Sequence, residues 1–379
     1  MISDSYRGRE QSYIKHQFLT QYLQAAAYKT LQGRSTTFNF VDAFAGPWRV
    51  SDNDYSDASF DQALRTLEAV RAHLGKTGIE GLKIRFCFCE RQAEAFARLQ
   101  KYAASHGRFE IHVFHGSFED HLVDIATVCR HGFTFSFIDP TGWNVRSQPV
   151  LEFLKDQGGE FLLNFMAEHV NRHAEYSKVA ASFGRFLADP DWSEEFGGLP
   201  SGWSNEQRVL NLLKRKIKKT GAATYVPDFP ILKPREQRVK MRLLLGTHSA
   251  KGLEVFRNVQ EKVEKQEIET RNQLRNEGQG QVSLFTDDEV AAMQQKAAGI
   301  GCPAFLREAE DRIVAKLSEV GTQTFSAIAV HVLEEVPIRL PQIKKLVNDM
   351  RDRHVLNFDL PPRKRVPQDV TTISLSDQR

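Results

Sequence analysis

The stretch Phe38-Asn39-Phe40-Val41-Asp42-Ala43-Phe44-Ala45-Gly46-Pro47-Trp48 decides how this chain reads. Phe and Val favour a pleated, buried conformation, and residues 38–42 are of strand length. Ala45-Gly46-Pro47 then stops the strand and turns the chain. In an open α/β sheet, ligands sit just beyond the carboxyl ends of the strands, beside the first strand-to-helix turn. Small residues there let a nucleotide-like ligand approach the backbone. Asp42, at the strand end, can accept hydrogen bonds from a cationic or hydroxylated ligand.

Outward from this stretch, four more strands end in chemically useful places. Ile84–Glu90 closes on an acid, and a carboxylate accepts two hydrogen bonds from a vicinal diol such as a ribose. Glu90 equally suits the N-terminus of the helix expected at 92–104. Ile111–Phe114 runs into His115-Gly116-Ser117-Phe118, where His115 reads as a turn residue or as a base. Phe133–Asp139 runs into Pro140-Thr141-Gly142-Trp143, so a third acid stands at a strand end. The fifth strand is expected at 160–166. Residues 224–232 and 237–246 read as a closing pair around Pro234. A helix over 10–32 carries Ile14, Phe18, Leu19 and Tyr22 on one face, and reads as packing on the sheet rather than as a direct ligand contact. The loop 46–57, with Asp52, Asp54 and Asp57, reads either as a cover for a ligand or as a solvated excursion.

Together these stretches resemble the class I S-adenosylmethionine (SAM) methyltransferases. Val41-Asp42-Ala43-Phe44-Ala45-Gly46-Pro47-Trp48 resembles, more narrowly, the three-Cys-motif partner proteins. That bacterial family has a methyltransferase-like domain and is named for a neighbouring three-cysteine-motif protein. The helix with Lys15-His16 and Tyr22-Leu23 is similar to that family's lead-in helix. The resemblance implies a Rossmann-like class I methyltransferase sheet in an α/β domain over residues 1–260. It implies SAM as cofactor, held by Asp42, Phe44, Ala45, Gly46, Pro47 and Glu90, with Ser117 and Phe118 beside the adenine. It implies an acceptor site at Asp139 and Pro140, with Trp143 as a stacking platform. Two departures stand in the sequence. Trp48 replaces the usual second Gly, and Thr141-Gly142-Trp143 lacks the second Pro of the amino-methyltransferase loop.

Composition sets bounds. At 379 residues and 41% hydrophobic content, the chain has room for two domains. A formal charge of +3 does not by itself imply nucleic acid. Four scattered cysteines, at 87, 89, 129 and 302, form no CxxC pairs and read as free thiols in a reducing cytoplasm. The first residues lack the apolar core of a signal peptide, and no segment is apolar for long enough to span a membrane. Residues 171–220 read as a helical insert. His169 and His173 are four apart, but no third ligand is identifiable, so no metal is expected. Lys214–Lys219 reads as a solvated helix face or as a phosphate contact. Residues 261–300 read as a helix fraying into a polar linker, with Ser283-Leu284-Phe285 as an apolar island.

Residues 301–379 read as a winged helix-turn-helix domain: three helices, then a hairpin tipped by Pro361-Pro362-Arg363-Lys364-Arg365. Lys344, Lys345, Arg363, Lys364 and Arg365 are its expected nucleic-acid contacts, although such domains also serve protein contacts. The expected function is SAM-dependent methyl transfer to a nucleic acid or nucleotide-derived target, with a three-cysteine-motif protein as partner. Its rival is a catalytically silent adaptor of the same fold that binds DNA or a partner protein. A nicotinamide enzyme is disfavoured because Gly-x-Gly-x-x-Gly is missing from the first turn.

Overall fold

A computed structural model describes residues 6–33, 35–46, 55–140, 142, 145–168, 180–189, 191–279, 286–360 and 362–376. Pro47, Trp48, Asp52, Asp54, Trp143, His169, His173 and the island Ser283-Leu284-Phe285 lie outside the described residues. The chain divides into two compact units, Met1–Ser249 and Ala250–Arg379.

The first unit alternates helices and strands: α1 (Glu10–Leu31), β1 (Thr37–Asp42), α2 (Ser59–Lys76), β2 (Lys83–Glu90), α3 (Ala93–Ser105), β3 (Glu110–His115), α4 (Leu122–Val128), β4 (Phe133–Ile138), α5 (Ser147–Gln157) and β5 (Glu160–Phe165). Three helices, Ala180–Leu187, Trp192–Gly197 and Asn205–Thr220, precede β6 (Asp228–Leu232) and β7 (Val239–Gly246). The seven-stranded sheet has the order β3-β2-β1-β4-β5-β7-β6. β1 to β5 are parallel, β7 is antiparallel to β5, and β6 is antiparallel to β7. This mainly parallel Rossmann-like sheet, closed by an antiparallel pair, is the arrangement expected from the sequence. β6 starts later than expected, after Pro227, which has no amide to give to a ladder. Tyr225 instead makes an isolated bridge to Thr247.

Central strands of such a sheet are buried on both faces and read as continuous apolar runs. All six residues of β1 are buried, and Phe40 stacks on Phe135 at 6.3 Å. Cys87, Cys89 and Cys129 are buried in the same core. α1 covers the sheet with its apolar stripe. Phe18 stacks on Phe229 at 5.5 Å, and the Tyr22 hydroxyl donates to Glu160 Oε2 at 2.9 Å. Glu160 opens β5, so Tyr22 lies over the amino end of the strands. Lys15, two turns earlier and about 10 Å along the axis, reaches their carboxyl end.

In the second unit, helices span Ala250–Gln279, Asp287–Ala298, Pro303–Val320, Phe325–Glu335 and Leu340–Asp352. The strands β8 (Gln323–Thr324), β9 (Leu356–Asn357) and β10 (Thr372–Leu375) form a small antiparallel sheet, ordered β8-β10-β9. The helix from Ala250 thus belongs wholly to this unit, and the boundary falls before residue 260. The helix Asp287–Ala298 lies in the span read as linker. Its signature was legible, because Thr286 and Glu289 form a capping box. Arg257 is 1% exposed and closes the end of Phe325–Glu335 by donating to the carbonyls of Leu333 and Glu334 at 2.8 and 2.9 Å. Among the described residues no helix is long and apolar enough to cross a membrane.

Gly159 sets the spacing of β4 and β5. A Cβ there would lie 1.9 Å from the Thr134 carbonyl oxygen. Gly159→Ala is expected to push the strands apart and to cost about 1–3 kcal/mol of stability, as overpacked sites do. Urea unfolding of the two proteins checks this.

Candidate functional site

The site lies on the carboxyl edge of β2, β1 and β4. Two amides bind the turn after β1 to the neighbouring strands: Ala43 N–H donates to the Phe137 carbonyl at 3.0 Å, and Ala45 N–H to the Cys89 carbonyl at 2.9 Å. Residues 43–46 therefore line the crevice where the strand order reverses direction, between β1 and β4. Ala45 is buried, and Phe44 and Gly46 are half-buried.

Asp42 is fully buried. Its Oδ1 accepts from the Phe44 amide at 3.1 Å, and its Oδ2 from Ser59 Oγ at 2.6 Å. Burial pushes its carboxyl up to about 7, against the pull of these two hydrogen bonds; nearby Asp139 adds to the rise and Lys15 opposes it. In this arrangement Asp42 shapes the turn from beneath rather than presenting an open carboxylate.

Glu90 ends β2 and is 2% exposed. Its Oε1 accepts from the Gln92 amide at the start of α3, which is the helix N-terminal geometry. Burial raises its pKa, while hydrogen bonds from the Gln92 and Arg91 backbones oppose the rise. A carboxylate offers about four acceptor positions, so the amides leave capacity for a diol.

The segment after β3 is held by its own neighbours. Ser117 Oγ donates to Asp120 within its own turn, and Phe118, 1% exposed, packs edge-on against Phe153 at 5.5 Å. The His115 ring stacks on Phe96 at 4.5 Å.

Asp139 follows β4 directly, with buried Pro140 after it. Its Oδ2 pairs with Lys15 Nζ, and its Oδ1 accepts from Asn164 Nδ2 at 2.6 Å. Lys15 lies at the helical spacing of the stripe that continues through Phe18, Leu19 and Tyr22, next to buried Ile14. Asn164, on β5, is 2% exposed, and its Oδ1 has no hydrogen-bond partner among the described residues. Next to Lys15, His16 is buried, with Nδ1 2.8 Å from the Tyr6 hydroxyl. Gln62 donates to that hydroxyl, so Tyr6 donates onward to His16. Burial, then the Lys15 charge, lowers His16 to about 3, and burial pushes Tyr6 up to about 12. Arg9 pairs with Asp57 beside this chain and secures the start of α1.

Lys15, His16, Asn164 and Tyr6 are the residues that sequence reasoning did not place in the site. A lysine on an apolar stripe was the available signal for the first pair; Asn164 and Tyr6 carried none.

In the second unit, the Lys344 ammonium lies 5.8 Å from the Phe325 ring, and Lys345 pairs with Asp349 at 2.7 Å. Arg363, Lys364 and Arg365 are exposed at the hairpin tip. The Arg365 carbonyl accepts from Asn348 Nδ2 at 2.8 Å, which fixes the tip to the helix Leu340–Asp352.

No protein-family model matches this chain, and no curated protein matches it. Among solved structures, one likeness is to a Staphylococcus aureus protein assigned to the caffeoyl-CoA O-methyltransferases. It has 10% identity and a TM-score of 0.29, and covers 59% of this chain and 82% of that one. Another is to a Listeria monocytogenes protein assigned to the class I SAM-dependent methyltransferases. It has 12% identity and a TM-score of 0.30, and covers 62% of this chain and 59% of that one. Likenesses of this size carry no weight, and the fold rests on strand order and register.

The buried Asp42 gives a pH signature. Its folded pKa stands above its unfolded value of about 4, so the folded state holds the proton more tightly. Its contribution to stability is complete below pH 4 and is lost as pH rises through 7. Wild type should therefore lose stability relative to Asp42→Asn as pH rises from about 4 to about 7. Denaturant midpoints across that range check the sign.

Proposed function

We propose that the first unit is a SAM-dependent methyltransferase acting on a nucleic acid or nucleotide-derived target. The second unit is then a winged helix whose exposed tip, Arg363, Lys364 and Arg365, meets phosphate, with Lys344 and Lys345 on its third helix. One observation carries the reading: adjacent parallel strands β2, β1 and β4 each deliver an acid to the same edge, across the reversal of strand order. Glu90 suits the ribose hydroxyls, and the turn 43–46 with Pro47 suits the methionine side, with Asp42 holding the turn through the Phe44 amide. Ser117 and Phe118 border the nucleoside side. A three-cysteine-motif protein is the partner implied by the resemblance, and the cytoplasm is the location it suits.

SAM supplies, when bound, a methyl group activated for displacement. The protein's own contribution is alignment. Asp139, braced by Lys15 and Asn164, accepts a hydrogen bond from the acceptor group and holds it in line. Pro140 disfavours a helical conformation at Asp139, and Trp143 supplies the stacking ring. The orphaned Asn164 Oδ1, buried beside Asp139, is an acceptor that a bound amine would satisfy. One feature favours the adaptor reading: the described carboxylate oxygens of Asp139 are already engaged by Lys15 and Asn164.

Two measurements separate these. In calorimetric titration with SAM, Glu90→Ala should weaken binding by more than about tenfold, or 1.4 kcal/mol. No binding by the wild type, with or without nucleic acid, would leave the adaptor reading standing. Asp139→Asn should lower transfer of labelled methyl to cellular RNA and DNA by about 100-fold or more, with SAM affinity nearly unchanged. Equal loss of both would remove Asp139 from the acceptor role.

A further inference from the structure

Where the antiparallel pair turns round, the first unit gathers positive charge that the proposed site does not use. β5 ends at Phe165 opposite Arg242 of β7, and β6 ends at Leu232 opposite Val239. The turn 233–238 therefore stands at the carboxyl edge of the parallel strands, the edge that carries Asp139. The Lys233 amide donates to the Arg238 carbonyl at 2.9 Å and closes the turn.

Three cations converge on one acid there. Glu168, 6% exposed, follows β5. Its Oε1 lies 3.0 Å from Lys233 Nζ and 3.3 Å from Arg238 Nη2, and its Oε2 pairs with Lys240. Glu236 approaches Lys233 and Arg238 at 3.3 and 3.5 Å. Arg235, exposed on the turn, has no ion pair among the described residues. Among the described residues four cations, Lys233, Arg235, Arg238 and Lys240, face the two carboxylates of Glu168 and Glu236, a surplus of two positive charges on this part of the edge. The hydrogen bond from Lys240 holds the Glu168 carboxyl down to about 2, which keeps the cluster assembled at any ordinary pH. A clamp that only fastened the turn to β5 would need one cation for its one acid. The surplus cations repel one another, and an anion arriving from solvent relieves that repulsion.

The placement matters as much as the charge. In the strand order, β5 and β7 lie on one side of β4, and β1 and β2 on the other. Glu90, assigned to the ribose, and the turn held by Asp42 lie on the β1–β2 side. The cationic turn lies on the β5–β7 side, beyond Asn164.

We propose that Lys233, Arg235 and Arg238 on the β6–β7 turn, with Lys240 at the start of β7, bind backbone phosphates of a single-stranded nucleic-acid substrate whose reacting base lies at Asp139. This rests on the methyl-transfer reading and adds the grip on the substrate's backbone. Phosphate contacts of this kind set position and orientation and read no sequence. A base must leave its stack before chemistry can reach it, which favours single-stranded substrate.

The test is fluorescence anisotropy of labelled single-stranded RNA and DNA oligonucleotides of mixed sequence, titrated with the full chain at several salt concentrations. The variant is Arg235→Ala with Arg238→Ala, which leaves Lys233 and Lys240 on Glu168. It should bind about tenfold more weakly near 0.1 M salt, with a log–log salt slope shallower by about one to one and a half. The strand type that shows the loss identifies the substrate class. Unchanged affinity and slope in both strand types would overturn the proposal, as would weaker binding with an unchanged slope, or no binding by the wild type. SAM calorimetry on the same variant should match wild type. Failure of the wild type to bind SAM would strike the methyl-transfer reading and leave the anisotropy to judge the turn alone.

Discussion

Lys15 on α1 and Asp139 at the end of β4 form an ion pair shielded from water, with side chains 10% and 22% exposed. Drawing two charges out of water costs several kcal/mol each, and their attraction offsets this only with good geometry and further hydrogen bonds. Asn164 supplies one, so helix, β4 and β5 meet at a single polar point. Losing one partner would strand the other charge, typically at about 3–5 kcal/mol. The pair therefore fixes how far α1 slides along the sheet. That in turn places His16, Tyr6 and Gln62, and brings the Lys15 charge near buried Asp42.

The edge divides into two chemically unlike halves. On the β1–β2 side, small residues and amides tie the turn to both neighbours, and Glu90 keeps acceptor capacity beside a helix start. On the β4–β5 side, charges and an unpartnered Asn164 oxygen cluster around Asp139. A group-transfer enzyme needs such a division, with a donor held on one side of a crevice and an acceptor on the other. The same geometry gives Asp139 a positioning character, since both its oxygens already accept.

Much of this was legible in the sequence, for physical reasons. Buried strands such as 38–42 and 133–138 are dense in Phe, with Asn39, Thr134 and Ser136 buried among them, and the acids Asp42, Glu90 and Asp139 stand at the strand ends as read. Periodicity found α1 but favoured packing over a ligand role for its face. Lys15 lies on the apolar stripe, yet its partner is 124 residues away, and pairing at that range leaves no local trace. Asn164 was hidden for the same reason, within a strand of apolar neighbours. Phe118 is buried against Phe153, and an aromatic in a turn gives no sign in the sequence of which way it points. In the second unit, the helix Asp287–Ala298 was lost among polar residues although its capping box was in plain view.

A crystal structure with SAM bound tests the central claim most directly. The expected result is ribose hydroxyls on Glu90, the methionine portion along residues 43–46, and the methyl group facing Asp139. Ligand bound away from the β2–β1–β4 edge, or no ligand at saturating SAM, would contradict it.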